Sequence, residues 1–74
     1  MGSSTAAFLA EIEAFLAREH LAASTFGRAA VGDPSFVREL REGRAPSLRL
    51  VDRTRAYMAA RRLEANAPSA AVVT

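Results

Sequence analysis

All ten strongly basic residues of this 74-residue chain are arginines, and nine of them lie between residues 28 and 62. Residues 28–62 also contain four acidic residues, which gives a net charge of +5, whereas residues 1–27 have a net charge of −2. A guanidinium group can donate paired hydrogen bonds to phosphate oxygens or to the O6 and N7 edge of guanine. The distribution therefore favours a polyanionic partner. A GC-rich genome is the alternative explanation for the absence of lysine.

Other chemistries have little support in the residue types. The chain has no cysteine, which excludes disulfides, cysteine-based zinc sites and thiol nucleophiles, and His20 is its only histidine. We find no nucleophile–base pair, glycine-rich phosphate loop or metal-ligand spacing, so we predict neither an enzyme nor a cofactor, metal or small-molecule substrate. No apolar run approaches the roughly 20 residues that cross a bilayer, and no signal peptide is evident. We expect a cytoplasmic bacterial or phage protein without a membrane partner.

The first predicted element that could position these arginines is helix 1, over residues 5–19. Its apolar side chains recur at intervals of three and four residues, and Ser4 or Thr5 is the candidate N-cap. This spacing is typical of one buried helical side and indicates a core rather than a ligand site. The predicted core residues of helix 1 are Phe8, Leu9, Ile12, Phe15 and Leu16.

Two short helices joined by a tight turn are predicted next. Ser24 is the expected N-cap of helix 2, whose buried side should carry Phe26, Ala29, Ala30 and Val31, and Gly27 marks a close helix crossing. Gly32 supplies the turn, Asp33 caps helix 3 and Pro34 begins it. Helix 3 spans about residues 34–42, ends at Gly43 and should bury Phe36, Val37 and Leu40.

Helix 4 is expected from Leu48 to about Leu63, after Pro46 has interrupted the chain and Ser47 has provided an N-cap. Its inward residues should be Leu48, Val51, Thr54, Tyr57 and Met58. The predicted fold class is all-α: a compact bundle of about four short helices that contains a helix-turn-helix. Residues 1–4 are a disordered start or an expression-vector remnant, residues 5–63 form the domain, and residues 64–74 form a flexible tail.

Residues 24–42 resemble the helix-turn-helix of small phage Cro and repressor proteins and of XRE-like bacterial regulators. The family has a small residue in the middle of helix 2 and two buried aliphatic residues in helix 3, which Gly27, Val37 and Leu40 match. Val31 occupies the usual position of the turn glycine, and Gly32 follows one place later. The resemblance implies a regulator that binds duplex DNA as a homodimer, with helix 3 in the major groove.

The resemblance and the chemistry of the side chains together suggest the contacts. Ser35, Arg38 and Glu39 are the candidates for reading bases, because the N-terminal part of a recognition helix lies near base edges. Phosphate contacts are expected from the N-terminus of helix 2 and from flanking arginines. These phosphate candidates are Ser24, Thr25, Arg28, Arg41, Arg44 and Arg49.

Each arginine also has an ordinary explanation. Arg38 and Arg41 lie close in sequence to Glu42 and Glu39 and could form a solvated, partly paired helix surface, while Asp52 lies between Arg49 and Arg53. The alternative function is a helical protein-interaction module of the antitoxin or adaptor type, which would use the apolar side of helix 4 and the tail.

Overall fold

The computed structural model describes residues 4–66, and all of its regular structure is helical. The four helices are α1 (Ser4–Glu19), α2 (Ala23–Val31), α3 (Phe36–Arg41) and α4 (Leu48–Asn66). This confirms the predicted all-α class with four helices. None of the helices in the described range is long and apolar enough to cross a membrane.

The core lies where the helical spacing placed it. Four of the five predicted core residues of α1 are buried, and Leu9 packs against the core from its edge. The rings of Phe15, Phe26 and Tyr57 contact one another with centroids 5.5–6.4 Å apart, which joins α1, α2 and α4. Phe8 packs edge-on against Phe36, at 6.4 Å, and so joins α1 to α3.

The end of α1 depends on a residue with positive φ. His20 adopts φ 55°, and the amide of Leu21 donates to the carbonyl of Leu16 at 3.0 Å. This is the bond that closes a helix through a left-handed residue, a position usually taken by glycine. The sequence therefore ends α1 with a residue type that adopts this conformation at some cost.

The unit formed by α2, residues 32–35 and α3 depends on a close backbone approach at Gly27. A Cβ at Gly27 would lie 2.3 Å from the carbonyl oxygen of Asp33, which is too close for any side chain. The carbonyl of Gly27 also accepts a hydrogen bond from the Asp33 amide at 3.1 Å, and Gly32 has φ 76°. The predicted roles of Gly27 in a close crossing and of Gly32 in the turn are confirmed.

Asp33 then organises the start of α3. Its carboxylate accepts the amide of Ser35 at 2.9 Å, and its carbonyl accepts the amide of Phe36 at 3.1 Å. These bonds hold residues 34 and 35 in a turn, so α3 begins at Phe36 rather than at Pro34 as predicted. The buried side of α3 is the one that was predicted, with Phe36, Val37 and Leu40 at most 5% exposed.

Three predictions about α2 and α4 were wrong. Ser24 does not cap α2: the helix begins at Ala23, its N-cap is Ala22, and no side chain satisfies the cap. Ala29 is exposed because the packed side of α2 carries Phe26, Gly27 and Ala30 instead. Leu48 is 80% exposed, because α4 turns the side with Thr54 and Met58 towards the core.

The start of α4 agrees with the prediction, but its end lies later in the chain than predicted. The amide of Leu50 donates to the hydroxyl of Ser47 at 3.2 Å, which confirms the predicted N-cap. The helix continues to Asn66, so residues 64–66 extend α4 instead of beginning a tail. The remainder of the predicted tail, with Val72 and Val73, lies outside the described residues, as do residues 1–3 of the predicted disordered start. Ser4 was predicted to belong to that start or to cap α1 and is instead the first residue of the helix, which also places Thr5 inside it.

We predict that Gly27→Ala destabilises the fold by about 1–3 kcal/mol, the usual cost of an added methyl that has no room. Alanine normally stabilises a helix interior relative to glycine by about 0.5–1 kcal/mol, so the predicted sign is opposite to that of helix propensity. Ala29→Gly, at an exposed position two residues further along α2, is the reciprocal control and should cost about 0.5–1 kcal/mol. Thermal unfolding followed by circular dichroism would measure both, and a raised Tm for Gly27→Ala would contradict the close approach.

A second stability prediction concerns the end of α1. His20→Gly should raise the free energy of unfolding by up to about 1 kcal/mol, because glycine adopts the left-handed conformation without a steric cost. In a domain of this size, that corresponds to a Tm increase of about 4–8 °C. A lowered Tm would show that the imidazole contributes more to the folded state than its backbone conformation costs.

Candidate nucleic-acid interface

The side of α3 opposite the core carries only polar and charged groups. Ser35 and Glu39 are half-buried, whereas Arg38 and Glu42 are exposed. We call these four residues the α3 outer face. The structure therefore brings together the three residues predicted to read bases, Ser35, Arg38 and Glu39, on one side of a short helix whose other side is fixed in the core.

The arginines at this face are paired with carboxylates. Arg38 donates to Glu42 at 3.2 Å, and Arg44, in the segment after α3, donates to Glu39 at 3.0 Å. The Arg38 and Arg44 side chains are 62% and 70% exposed, respectively, so both pairs remain in contact with solvent. The positive charge that the sequence places at α3 is consequently balanced by two glutamates.

Arg41 is directed away from the α3 outer face, towards α1. Its Nε and Nη2 atoms donate to the two carboxylate oxygens of Glu13 at 2.6 and 2.8 Å. The hydrogen bond from Arg41 lowers the pKa of Glu13, and the same bond raises the pKa of Arg41. This bidentate pair ties α3 to α1, and it occupies the Nε–Nη2 edge of the Arg41 guanidinium.

Two further glutamates of α1 hold arginines of α4. Glu11 receives two hydrogen bonds from Arg55, at 2.8 and 3.3 Å, and the Arg55 guanidinium also lies 5.4 Å from the centroid of the Phe8 ring. Glu19 receives a bond from Arg61 at 3.1 Å, which is the main cause of the raised pKa of that arginine. These pairs join residues 42 and 44 positions apart, which the sequence analysis missed because no local spacing signals them.

Four arginines have no carboxylate partner within residues 4–66. Arg28 lies on the exposed side of α2, and Arg49 and Arg53 lie four residues apart on exposed positions of α4, without an ion pair to Asp52. The fourth, Arg62, lies near the far end of α4. Of the predicted phosphate contacts, Arg28 and Arg49 therefore have guanidinium groups that are not engaged within the described chain.

The N-terminus of α2 is the other predicted phosphate position. Its first intrahelical bond runs from the Phe26 amide to the Ala22 carbonyl, so the amides of Ser24 and Thr25 precede that bond. Both residues are exposed. These amides can donate to an anion, as the amides of a first helical turn generally can.

The part of the chain that the structure describes contains no evident metal-binding site. Across residues 4–66, no three histidine or acidic side chains lie close enough together to hold a metal ion. Every buried side-chain nitrogen or oxygen in this range has a hydrogen-bond partner. Thr54, the one buried polar residue among them, donates to the carbonyl of Leu50 at 2.7 Å.

Comparison with known proteins identified no similar protein. The chain matches no protein-family model, and it has no significant match among curated proteins or among solved structures. The residues and their geometry are therefore what indicates a function for this chain.

The Glu13–Arg41 pair leads to a pH-dependent prediction. Because the pKa of Glu13 is lowered from its usual 4.5 in the folded state, the pair stabilises the fold fully above about pH 4.5 and loses its effect as the pH falls through the lowered pKa. Glu13→Gln should lower Tm at pH 7, and the difference from the wild type should shrink in acid. Glu64→Gln, at an exposed residue without an ion pair in the described chain, is the control. A difference that stays constant from pH 7 to acid would contradict the role of the pair.

Proposed function

We propose that this chain is a transcriptional regulator that binds duplex DNA sequence-specifically, with α3 and the turn before it in the major groove. One observation carries the proposal. Three apolar residues fix α3 in the core, and its opposite side presents Ser35, Arg38 and Glu39, all of which can hydrogen-bond to base edges. A short helix held in this way is suited to enter a groove while the rest of the domain contacts the backbone.

Base reading is assigned to those three residues. Arg38 can donate two hydrogen bonds to guanine once it leaves Glu42, and Glu39 can accept from the N4 amino group of cytosine. Ser35, in the turn immediately before α3, can donate to or accept from a base. The six residues of α3 extend only about 9 Å, so one copy reaches few base pairs.

Phosphate contacts are assigned to groups on the elements that precede and follow α3 in the chain. Arg44 follows α3 directly, Arg28 and Arg49 lack carboxylate partners in the described chain, and Ser24 and Thr25 carry the first-turn amides of α2. Arg41 is omitted from this set because Glu13 holds it. The assigned groups contribute affinity that does not depend on base sequence.

A homodimer would supply the selectivity that one short α3 lacks. Two copies on half-sites about 34 Å apart would place two α3 helices in successive major grooves on one side of the DNA. Such a protein would act in the bacterial or phage-infected cytoplasm, in association with the nucleoid.

A second candidate, a protein-interaction module, is favoured by one observation. Leu48 is 80% exposed at the rim of a groove of about 310 Å³ that Phe8, Pro46 and Val51 also line, and Leu63 is 67% exposed. A groove with apolar lining residues can be covered by a side chain of another protein. The salt dependence of binding distinguishes the two functions. Binding to several phosphates weakens steeply between about 50 and 200 mM salt, whereas apolar association does not.

The test begins with selection of bound fragments from a random duplex library, followed by affinity measurements on the selected duplex. Arg38→Ala should relax preference at one position and cost about 1–3 kcal/mol on the selected sequence. Arg44→Ala should weaken binding to all sequences similarly and reduce the slope of log affinity against log salt by about 1.

Arg62→Ala is the matched control, since it removes one unpaired positive charge far along α4 from α3. If Arg38→Ala and Arg44→Ala bind every duplex as Arg62→Ala does, the DNA-binding assignment is wrong.

A further inference from the structure

Two glutamates, Glu39 and Glu42, pair with the arginines at the α3 outer face. We propose that Glu39 and Glu42 set the selectivity of this chain by holding Arg44 and Arg38 in ion pairs that DNA must break before it can bind. The proposal rests on the function proposed above and deepens it. In this proposal, the two carboxylates weaken binding to DNA of the wrong sequence.

The pairs are placed where such competition can occur. The segment after α3 folds back through Gly43, at φ 101°, so that the Arg44 amide donates to the Glu39 carbonyl at 3.0 Å while its guanidinium reaches the Glu39 carboxylate. Glu42, the residue immediately after α3, lies one helical turn from Arg38. Because both guanidinium groups are mostly exposed, each can move to a phosphate or a base without unfolding of the helix.

The ion pairs are weak enough for DNA to displace the carboxylates reversibly. Exposed ion pairs of this kind change an equilibrium by at most about fivefold, so the dense phosphates of a duplex can displace the carboxylates. Once displaced, Glu39 and Glu42 remain on or beside the α3 outer face, close to an anionic backbone that repels them. A base that donates a hydrogen, such as cytosine through N4, offsets this repulsion, whereas a base edge without a donor does not.

The arginines consequently fall into two groups with different effects. Arg28 and Arg49 have no carboxylate partner in the described chain and can add affinity for any sequence. Arg38 and Arg44 can be released only with exposure of a glutamate to the DNA. The phosphate contact of Arg44 itself is the same on every sequence, but the penalty from the glutamate that it leaves depends on the bases present. This division gives the protein weak binding to random DNA without the loss of its sequence-reading groups.

The experiment uses the full chain and two duplexes of about 30 base pairs, long enough for two half-sites: the selected sequence and a random one. Fluorescence anisotropy at fixed salt would compare wild type, Glu39→Gln and Glu42→Gln. Glu64→Gln is the control, because it makes the same change in net charge at an exposed, unpaired residue of α4. Circular dichroism would verify that each variant remains helical.

Each of Glu39→Gln and Glu42→Gln should raise affinity for the random duplex by about two- to fivefold over Glu64→Gln, the factor expected from the loss of one exposed ion pair. Affinity for the selected duplex should rise less or fall, so that the ratio of selected-duplex affinity to random-duplex affinity decreases. If both variants bind the random duplex no tighter than Glu64→Gln, while Arg38→Ala and Arg44→Ala still weaken binding, the selectivity role is overturned and DNA binding stands. If the wild type binds neither duplex, the proposed function and this inference are both wrong.

Discussion

The contact between Gly27 and Asp33 determines how α3 is presented. The absent side chain of Gly27 lets the carbonyl of Asp33 approach α2, and the Gly27 carbonyl then accepts the Asp33 amide. Asp33, fixed in this way, uses its own carbonyl and carboxylate to hold the amides of Phe36 and Ser35. One missing side chain therefore sets the beginning of α3 and, through it, the direction of the α3 outer face.

Local patterns predicted most of this unit, because its determinants are close in sequence. Glycine at positions 32 and 43 and the apolar spacing of α3 each act within a few residues, and each appears in the structure in the expected role. The prediction that Asp33 caps α3 was wrong: the N-cap is Ser35, without a side-chain bond, and the Asp33 carboxylate instead accepts the Ser35 amide in the turn before the helix. The boundary of α3 was less accurate, since the choice between a turn and a helical turn at residues 34 and 35 depends on the approach to α2. Whether this unit binds DNA stays a proposal.

The ion pairs were beyond local prediction for a physical reason. Sequence spacing shows which charges lie close together along one helix, and the suggested partly paired surface at α3 is present for Arg38, which pairs with Glu42, but not for Arg41. It does not show that Glu13 meets Arg41 or that Glu11 meets Arg55, because those contacts depend on how α1 packs against α3 and α4. The exposure of Leu48 was missed for a related reason: an apolar side chain near a helix end points inward only if another helix covers that end.

Ion pairs reduce the number of free positive charges in residues 28–62. A net charge of +5 over residues 28–62 suggests a uniform attraction for polyanions, but three of those nine arginines are held by glutamates of α1 and two by glutamates of α3 itself. The glutamates of α1 tie α1 to α3 and α4 and balance the charges of those three arginines. Within the described chain, unpaired positive charge is thereby confined to a few positions on α2 and α4. On the proposed function, an anionic duplex would be drawn to those positions. The α3 outer face, where Arg38 and the neighbouring Arg44 balance two glutamates, adds no net attraction and would discriminate through its contacts with the bases.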